Sequence, residues 1–412
     1  MQRDLDPLAQ SRRHFIAGLS GLGFTGLLGA SAWSGTDESV VFPFVNGERN
    51  LVKTFPQKGS MVLQRTRPPL LETPFEVFDQ GVFTPNDRFY VRWHLANIPT
   101  VVDPATFRLN IRGHVGQPVS FTLDDLVRKF KPMEIAAVNQ CSGNSRAFFT
   151  PRVAGGQWAN GAMGNAVWRG VSLKALLDRA GVKTGALQVR FNGLDTGILP
   201  QTPDFMKSLD VDHSLDGEVM VAYAMNGEPL PLLNGYPLRL VVPGWYATYW
   251  VKMLNDIEVL DKPDDNFWMT RAYLIPDTPF ADVVPGQQGV KTIPINRMLP
   301  RSFFTNIQDQ AKLKVGETTT VRGIAFGGDT GLAKVLFSGD GGSQWQEARL
   351  GPDHGKYSFR QWSVDFRLAS AQPQKLLVKA FNTAGASQPE RANWNGPGYM
   401  RNVVESVSVQ PA

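Results

Sequence analysis

Apolar and polar residues alternate over positions 88–95. Phe89, Val91, Trp93 and Leu95 fall on one side, and Arg88, Tyr90, Arg92 and His94 on the other. A period of two predicts a strand and puts Arg92 and His94 on one face. Apolar runs at 107–115, 135–138, 187–191, 219–224 and 238–242 predict further strands. Two stretches repeat with a helical period instead. Thr122-Leu-Asp-Asp-Leu-Val predicts a short helix with Thr122 as N-cap. Leu173, Leu176, Leu177 and Ala180 predict a helix over 173–180, capped by Ser172 and ended by Gly181. Residues 33–75 carry few periodic signals and read as an extended, Pro-punctuated lead-in. A composition shift follows Tyr273: residues 274–300 are Pro-rich, and the texture then becomes all-β. Strands at 318–326, 333–338, 357–366, 375–382 and a last one to Val409 are separated by Gly/Asp/Pro turns. Ser338-Gly-Asp340-Gly341-Gly342-Ser-Gln-Trp345 is a hairpin signal. This pattern predicts an α+β chain whose residues 286–412 form an immunoglobulin-like β-sandwich.

With 412 residues the chain exceeds one ordinary core, so a first globular domain over 76–285 is expected before the sandwich. Net charge is +5 and no Lys/Arg run is long enough for a nucleic-acid footprint. Ser11-Arg12-Arg13-His14-Phe15-Ile16, the mildly apolar stretch to Leu28 and Ala30-Ser31-Ala32 predict a twin-arginine export signal over 1–32. A periplasmic location follows as the expectation. The apolar run is short and Gly-diluted against the roughly 20 residues a membrane span needs.

Cys141 is the single cysteine, which excludes an intrachain disulfide. It follows the apolar run Ile135–Val138 and precedes a Gly143-Asn144 turn, a position that presents a thiol to a cleft. Arg146, five residues on, favours the thiolate, the form that ligates metals or attacks carbon. A buried and inert cysteine is the plain alternative. Arg239 sits inside an otherwise apolar strand, where a charge wants an anionic partner. Asp195 lies in the Gly-rich turn Asn192–Gly197, most often a turn-forming position.

Four motifs together resemble the sulfite oxidase family of molybdenum enzymes from about residue 75 onward. They are Cys141-x-Gly143-Asn144-x-Arg146; Arg92-Trp93-His94; Tyr236-Pro237-Leu238-Arg239 with Val242-Pro243-Gly244 and Lys252; and Ser338–Gly342 with Trp345. In detail the chain is most similar to bacterial periplasmic sulfite dehydrogenases. The resemblance implies a molybdopterin-binding catalytic domain over 76–285 and a dimerisation role for the sandwich. Cys141 would be the only protein ligand to molybdenum, a soft thiolate suited to a metal already held by dithiolene sulfur. Arg92 and Arg146 would bind the sulfite anion, Trp158 would wall its pocket, and Tyr273 would donate a hydrogen bond there. Arg401 would add a third cation. His94, Asp195, Arg239 and Lys252 would hold the pterin and its phosphate, while Asn234 stands where the family often has His. His114, His213 and His354 match no motif and are expected to be structural or surface residues.

The implied reaction is oxygen-atom transfer from molybdenum to sulfite, with electrons leaving singly. One cysteine excludes covalent c-type haem in this chain, so an external c-type cytochrome is the expected acceptor. Competing readings are a sulfane-sulfur dehydrogenase subunit, a methionine sulfoxide reductase, or a metal-free immunoglobulin-like binding module.

Overall fold

The computed structural model describes residues 38–412, which pack as one compact body. The export signal expected over 1–32 lies outside the described residues. No helix among the described residues is long and apolar enough to cross a membrane.

The structure is mostly β, with fewer helices than an even α+β mixture. Two helices exceed one turn or so. Leu123–Lys129 begins in a reciprocal capping box, in which Asp125 N–H donates to Thr122 Oγ1 and Thr122 N–H to Asp125 Oδ2, both 3.0 Å. Leu173–Ala180 buries all four of its periodic apolar positions and stops at Gly181, whose φ of 71° favours glycine. Ser172 occupies the N-cap position there but makes no side-chain cap bond.

The lead-in is more ordered than its sequence suggests. Strands Ser39–Val41, Glu48–Val52, Met61–Arg65 and Leu70–Glu72 form an antiparallel sheet closed by Val91–Arg92. The alternating stretch 88–95 pairs only at Val91–Arg92, because a 3-10 turn occupies Asn86–Arg88. Phe89, Val91, Trp93 and Leu95 are nonetheless all buried. A second, antiparallel sheet runs Glu228–Pro229, Met220–Met225, Met163–Ser172, Pro132–Gln140, with Arg239–Val241 also on Met220–Met225. A third sheet is mixed, its one parallel pairing joining Leu254–Leu260 to Leu109–Gly113.

Residues 301–411 form a two-sheet β-sandwich of four and five strands around Val321, Val335, Phe337, Trp362 and Val378. Its hairpin turn is fixed by Ser338 Oγ and Asp340 Oδ1, which accept from Gly342 N–H and Gln344 N–H. The sandwich does not stand apart. Phe303, Ile324, Tyr357 and Phe359 belong to the same apolar cluster as Leu109, Trp168 and Leu240. Four hydrogen bonds stitch it to the stretch around Cys141: Val138 N–H to Tyr357 O (2.8 Å), Met400 N–H to Ser142 O (2.9 Å), Arg146 Nε to Gly398 O (3.1 Å) and Arg301 Nη1 to Ser145 Oγ (3.0 Å).

Candidate active site

Strand Pro132–Gln140 grows more buried along its length and delivers Cys141 to the junction of two cavities. A narrow inner pocket adjoins a wider outer chamber that opens to solvent. Cys141, Arg92 and Tyr273 line both.

His94, Arg239 and Lys252 line the inner pocket, on the face the alternation over 88–95 assigns to Arg92 and His94. His94 stacks on Phe205 with ring centroids 3.6 Å apart, and its Nε2 lies 2.5 Å from Tyr273 Oη. Burial, then Arg92 and Lys252, hold the imidazole well below its usual range, so it is neutral. Burial pushes the Tyr273 phenol up. Tyr273 has φ 58°, a left-handed backbone that a bulky residue adopts only when its surroundings impose it. Arg239 lies between Trp168 and Trp250, at 5.4 and 5.9 Å from the ring centroids. Its guanidinium donates to Asn234 O and Asn139 Oδ1 and finds no carboxylate. Lys252 Nζ donates to Arg92 O at 2.9 Å and sits over Trp93. Burial draws Lys252 down, while burial opposed by Lys252 draws the neighbouring buried Asp195 up. Asp195 therefore backs Lys252 and does not line either cavity.

Arg146 and Trp158 line the outer chamber. Arg146 donates to Gly398 O and Gly156 O (3.1 and 3.2 Å) and stacks over Tyr399. Its guanidinium lies against three glycines. A Cβ at Gly143 would fall 2.4 Å from Arg146 Nη2, one at Gly155 2.9 Å from Nη1, and one at Gly398 2.8 Å from Nε. The glycine of the Cys141 turn is thus a cradle for this arginine.

The model described as the oxidoreductase molybdopterin binding domain matches residues 94–268, and that of the Mo-co oxidoreductase dimerisation domain matches 292–412. Mouse mitochondrial sulfite oxidase is 33% identical over 365 residues, 84% of this chain. Chicken sulfite oxidase is 30% identical over 361 residues, 84% of this chain and 77% of its own length. The chain belongs to the sulfite oxidase family. It spans 64% of the length of the mouse relative. The crystal structure of the sulfane dehydrogenase SoxCD from Paracoccus pantotrophus superposes with a TM-score of 0.72 at 23% identity, covering 99% of this chain and 97% of that one. That likeness carries the fold alone.

The residues present fit the molybdopterin of this family. Buried polar atoms of Arg92 (Nη1), Ser142 (Oγ), Arg239 (Nε) and Thr248 (Oγ1) line the inner pocket without a hydrogen-bond partner. Buried groups of this kind are normally satisfied. With Lys252 they form a cationic pocket suited to a phosphate-bearing, hydrogen-bonding ligand. Among the described residues no group of three or more His, Cys, Asp or Glu is placed to hold a metal, so a metal at Cys141 needs ligands from such a cofactor.

Arg401, expected to add a third cation to the pocket, lines neither cavity. Met400, at φ 58°, bonds back to Ser142 O, and this turn sends Tyr399 into the outer chamber and Arg401 away from it. Arg401 instead stacks over Phe148 and lies 3.8 Å from Glu405. His114, His213 and His354 line neither cavity. Two buried lysines went unforeseen. Lys58 donates to Asn234 Oδ1, Asn86 O and Phe89 O, so Asn234 anchors a lysine from the lead-in. Lys207 donates to Trp268 O and lies beneath the rings of Tyr249 and Tyr273. Lys207 lies in the largely polar strand Met206–Asp210 (Met-Lys-Ser-Leu-Asp), so the rule that singles out Arg239 gives no signal for it.

Proposed function

We propose that this chain oxidises sulfite to sulfate at a molybdenum centre in the periplasm, passing electrons singly to an external c-type cytochrome. The observation that carries this reading is the shared wall of Cys141, Arg92 and Tyr273, with Arg146 and Trp158 beside it. A cavity with a thiol and four guanidiniums, Arg92 and Arg146 among them, and no lining carboxylate among the described residues suits a small oxyanion. When bound, molybdopterin supplies oxygen-atom transfer and two-electron redox chemistry, with the Cys141 thiolate as its protein ligand. His94, Arg239 and Lys252 would hold the pterin and its phosphate, with Asp195 behind Lys252.

The protein's own contribution is position and charge. Arg92 and Arg146 orient sulfite by its oxygens, leaving the sulfur lone pair to face the metal side of the chamber. Trp158, fully buried, excludes water from one side. His94 holds the Tyr273 hydroxyl, which can then donate toward an anion's oxygen. The balance is sulfite plus water to sulfate, two protons and two electrons, the electrons leaving to two one-electron acceptors. The sandwich, which we read as immunoglobulin-like, would join two copies of the chain.

The test is sulfite-dependent reduction of cytochrome c by the purified holoenzyme, with Cys141→Ser alongside. A hydroxyl is a far weaker acid than a thiol, so this variant should lose activity entirely. Retained turnover would sink the assignment. Protein-bound sulfane sulfur, offered in place of sulfite, should give no more than background, and methionine sulfoxide, offered with a reduced viologen as electron donor, should not reoxidise it.

A further inference from the structure

The N-terminal sheet precedes both family models, which begin at residues 94 and 292, yet it builds one wall of the outer chamber. Arg49, Gln64 and Arg65 reach the chamber from this sheet, as does Arg92 on its last strand, and Arg146 lines the same space. Among the described residues no Asp or Glu lines the chamber.

These side chains are held, not loosely spread. Arg49 Nη1 donates to Asn46 O and Glu48 O (2.5 and 2.6 Å), and its Nε to Gln64 Oε1 at 3.4 Å. Gln64 Nε2 donates onward to Glu72 Oε2 at 2.8 Å. Glu72, fully buried, accepts Ala159 N–H and Gly161 N–H, which fixes the loop bearing Trp158. The network spends the nearby carboxylate on backbone and leaves the guanidinium charges facing the chamber. Arg65 is anchored by Nε to Pro68 O and feels the charge of Arg92. Four like charges around one space repel one another unless an anion enters.

We propose that Arg49 and Arg65 form an oxyanion-capture site at the chamber mouth, distinct from the site at Cys141, which takes tetrahedral or pyramidal sulfur oxyanions. That sulfite is the ion captured in turnover rests on the function proposed above; the affinity for an oxyanion does not.

The test compares wild-type holoenzyme with Arg65→Gln, Arg65→Glu, the double variant Arg49→Gln/Arg65→Gln, and Arg349→Gln. The last removes a remote charge paired with Asp365 on the sandwich. Sulfate binding is titrated calorimetrically at low ionic strength, and sulfite kcat/KM is followed against salt. The double variant should lose kcat/KM about tenfold at low salt, at the lower end of the 10–10³ range for electrostatic steering. Its salt dependence should flatten and its sulfate affinity fall in parallel, with Arg65→Glu below Arg65→Gln. Sulfate affinity and salt dependence equal to those of Arg349→Gln would overturn the capture site. Arg65 is exposed, so its single variants decide the matter if the double variant fails to fold. If the wild type turns over no sulfite, the proposed substrate is wrong, and the sulfate titration alone decides on the capture site.

Discussion

Tyr273→Phe removes one oxygen from the wall between the two cavities and keeps the ring. That oxygen lies 2.5 Å from His94 Nε2. Because burial and the surrounding cations keep His94 neutral, the imidazole carries one N–H and one lone pair. If Nε2 carries the proton, the phenol accepts from it and keeps its own proton for an anion in the chamber. A hydrogen bond to a charged acceptor contributes about 1.5–3 kcal/mol. The variant should therefore lose about ten- to hundredfold in kcat/KM for sulfite. The orphaned imidazole N–H should cost stability as well, about 1–3 kcal/mol for a buried unsatisfied donor. Steady-state cytochrome c reduction reads the first effect and denaturant titration the second. The phenol is pushed up and the imidazole down, so neither titrates near neutrality, and the deficit should be flat from about pH 6 to 9. Loss of stability with wild-type kcat/KM across that range would refute the substrate contact and leave Tyr273 as a partner for His94 only.

Arg92→Gln should raise the sulfite KM about ten- to hundredfold with little change in stability, since its buried Nη1 bonds no protein atom; an unchanged KM with a lowered melting temperature would make Arg92 structural. Gly143→Ala should push the Arg146 guanidinium off its cradle and raise KM as Arg146→Gln does, the two variants being compared by sulfite kinetics. Lys207→Met should flatten the pH dependence of stability. Burial lowers the Lys207 pKa to about 7 from a usual 10.5, so between those values the unfolded chain binds a proton the folded chain lacks. Lys207 should thus contribute up to about 1.4 kcal/mol per pH unit to a rise of stability across that window, beside the like contributions of Lys58 and Lys252, and the variant should lose that share in denaturant titrations at pH 7 and 9.

Much of the site is legible in the sequence because strand alternation and short motifs are local. The period over 88–95 gives the shared face of Arg92 and His94, although the strand itself shrinks to two residues. The lone cysteine on a turn after an apolar run does open to a cleft. Arg239, a charge in an apolar strand that wants an anion, has none among the described residues. What fails is long-range. Arg401 looks like a site cation beside a Gly-rich turn, but the left-handed Met400 turns it away from the chamber and onto Phe148. Arg49, Arg65 and Lys58 sit in a lead-in with little periodicity, and their role depends on packing against residues far along the chain.

The four hydrogen bonds from the sandwich to residues 138–146 tie a distant module to the loop that carries the thiol. A heated molecule therefore cannot shed the sandwich first and go on working. Inactivation and melting of the sandwich should fall in one calorimetric transition, and any slow loss of molybdenum on storage becomes a measure of how often that module lifts away.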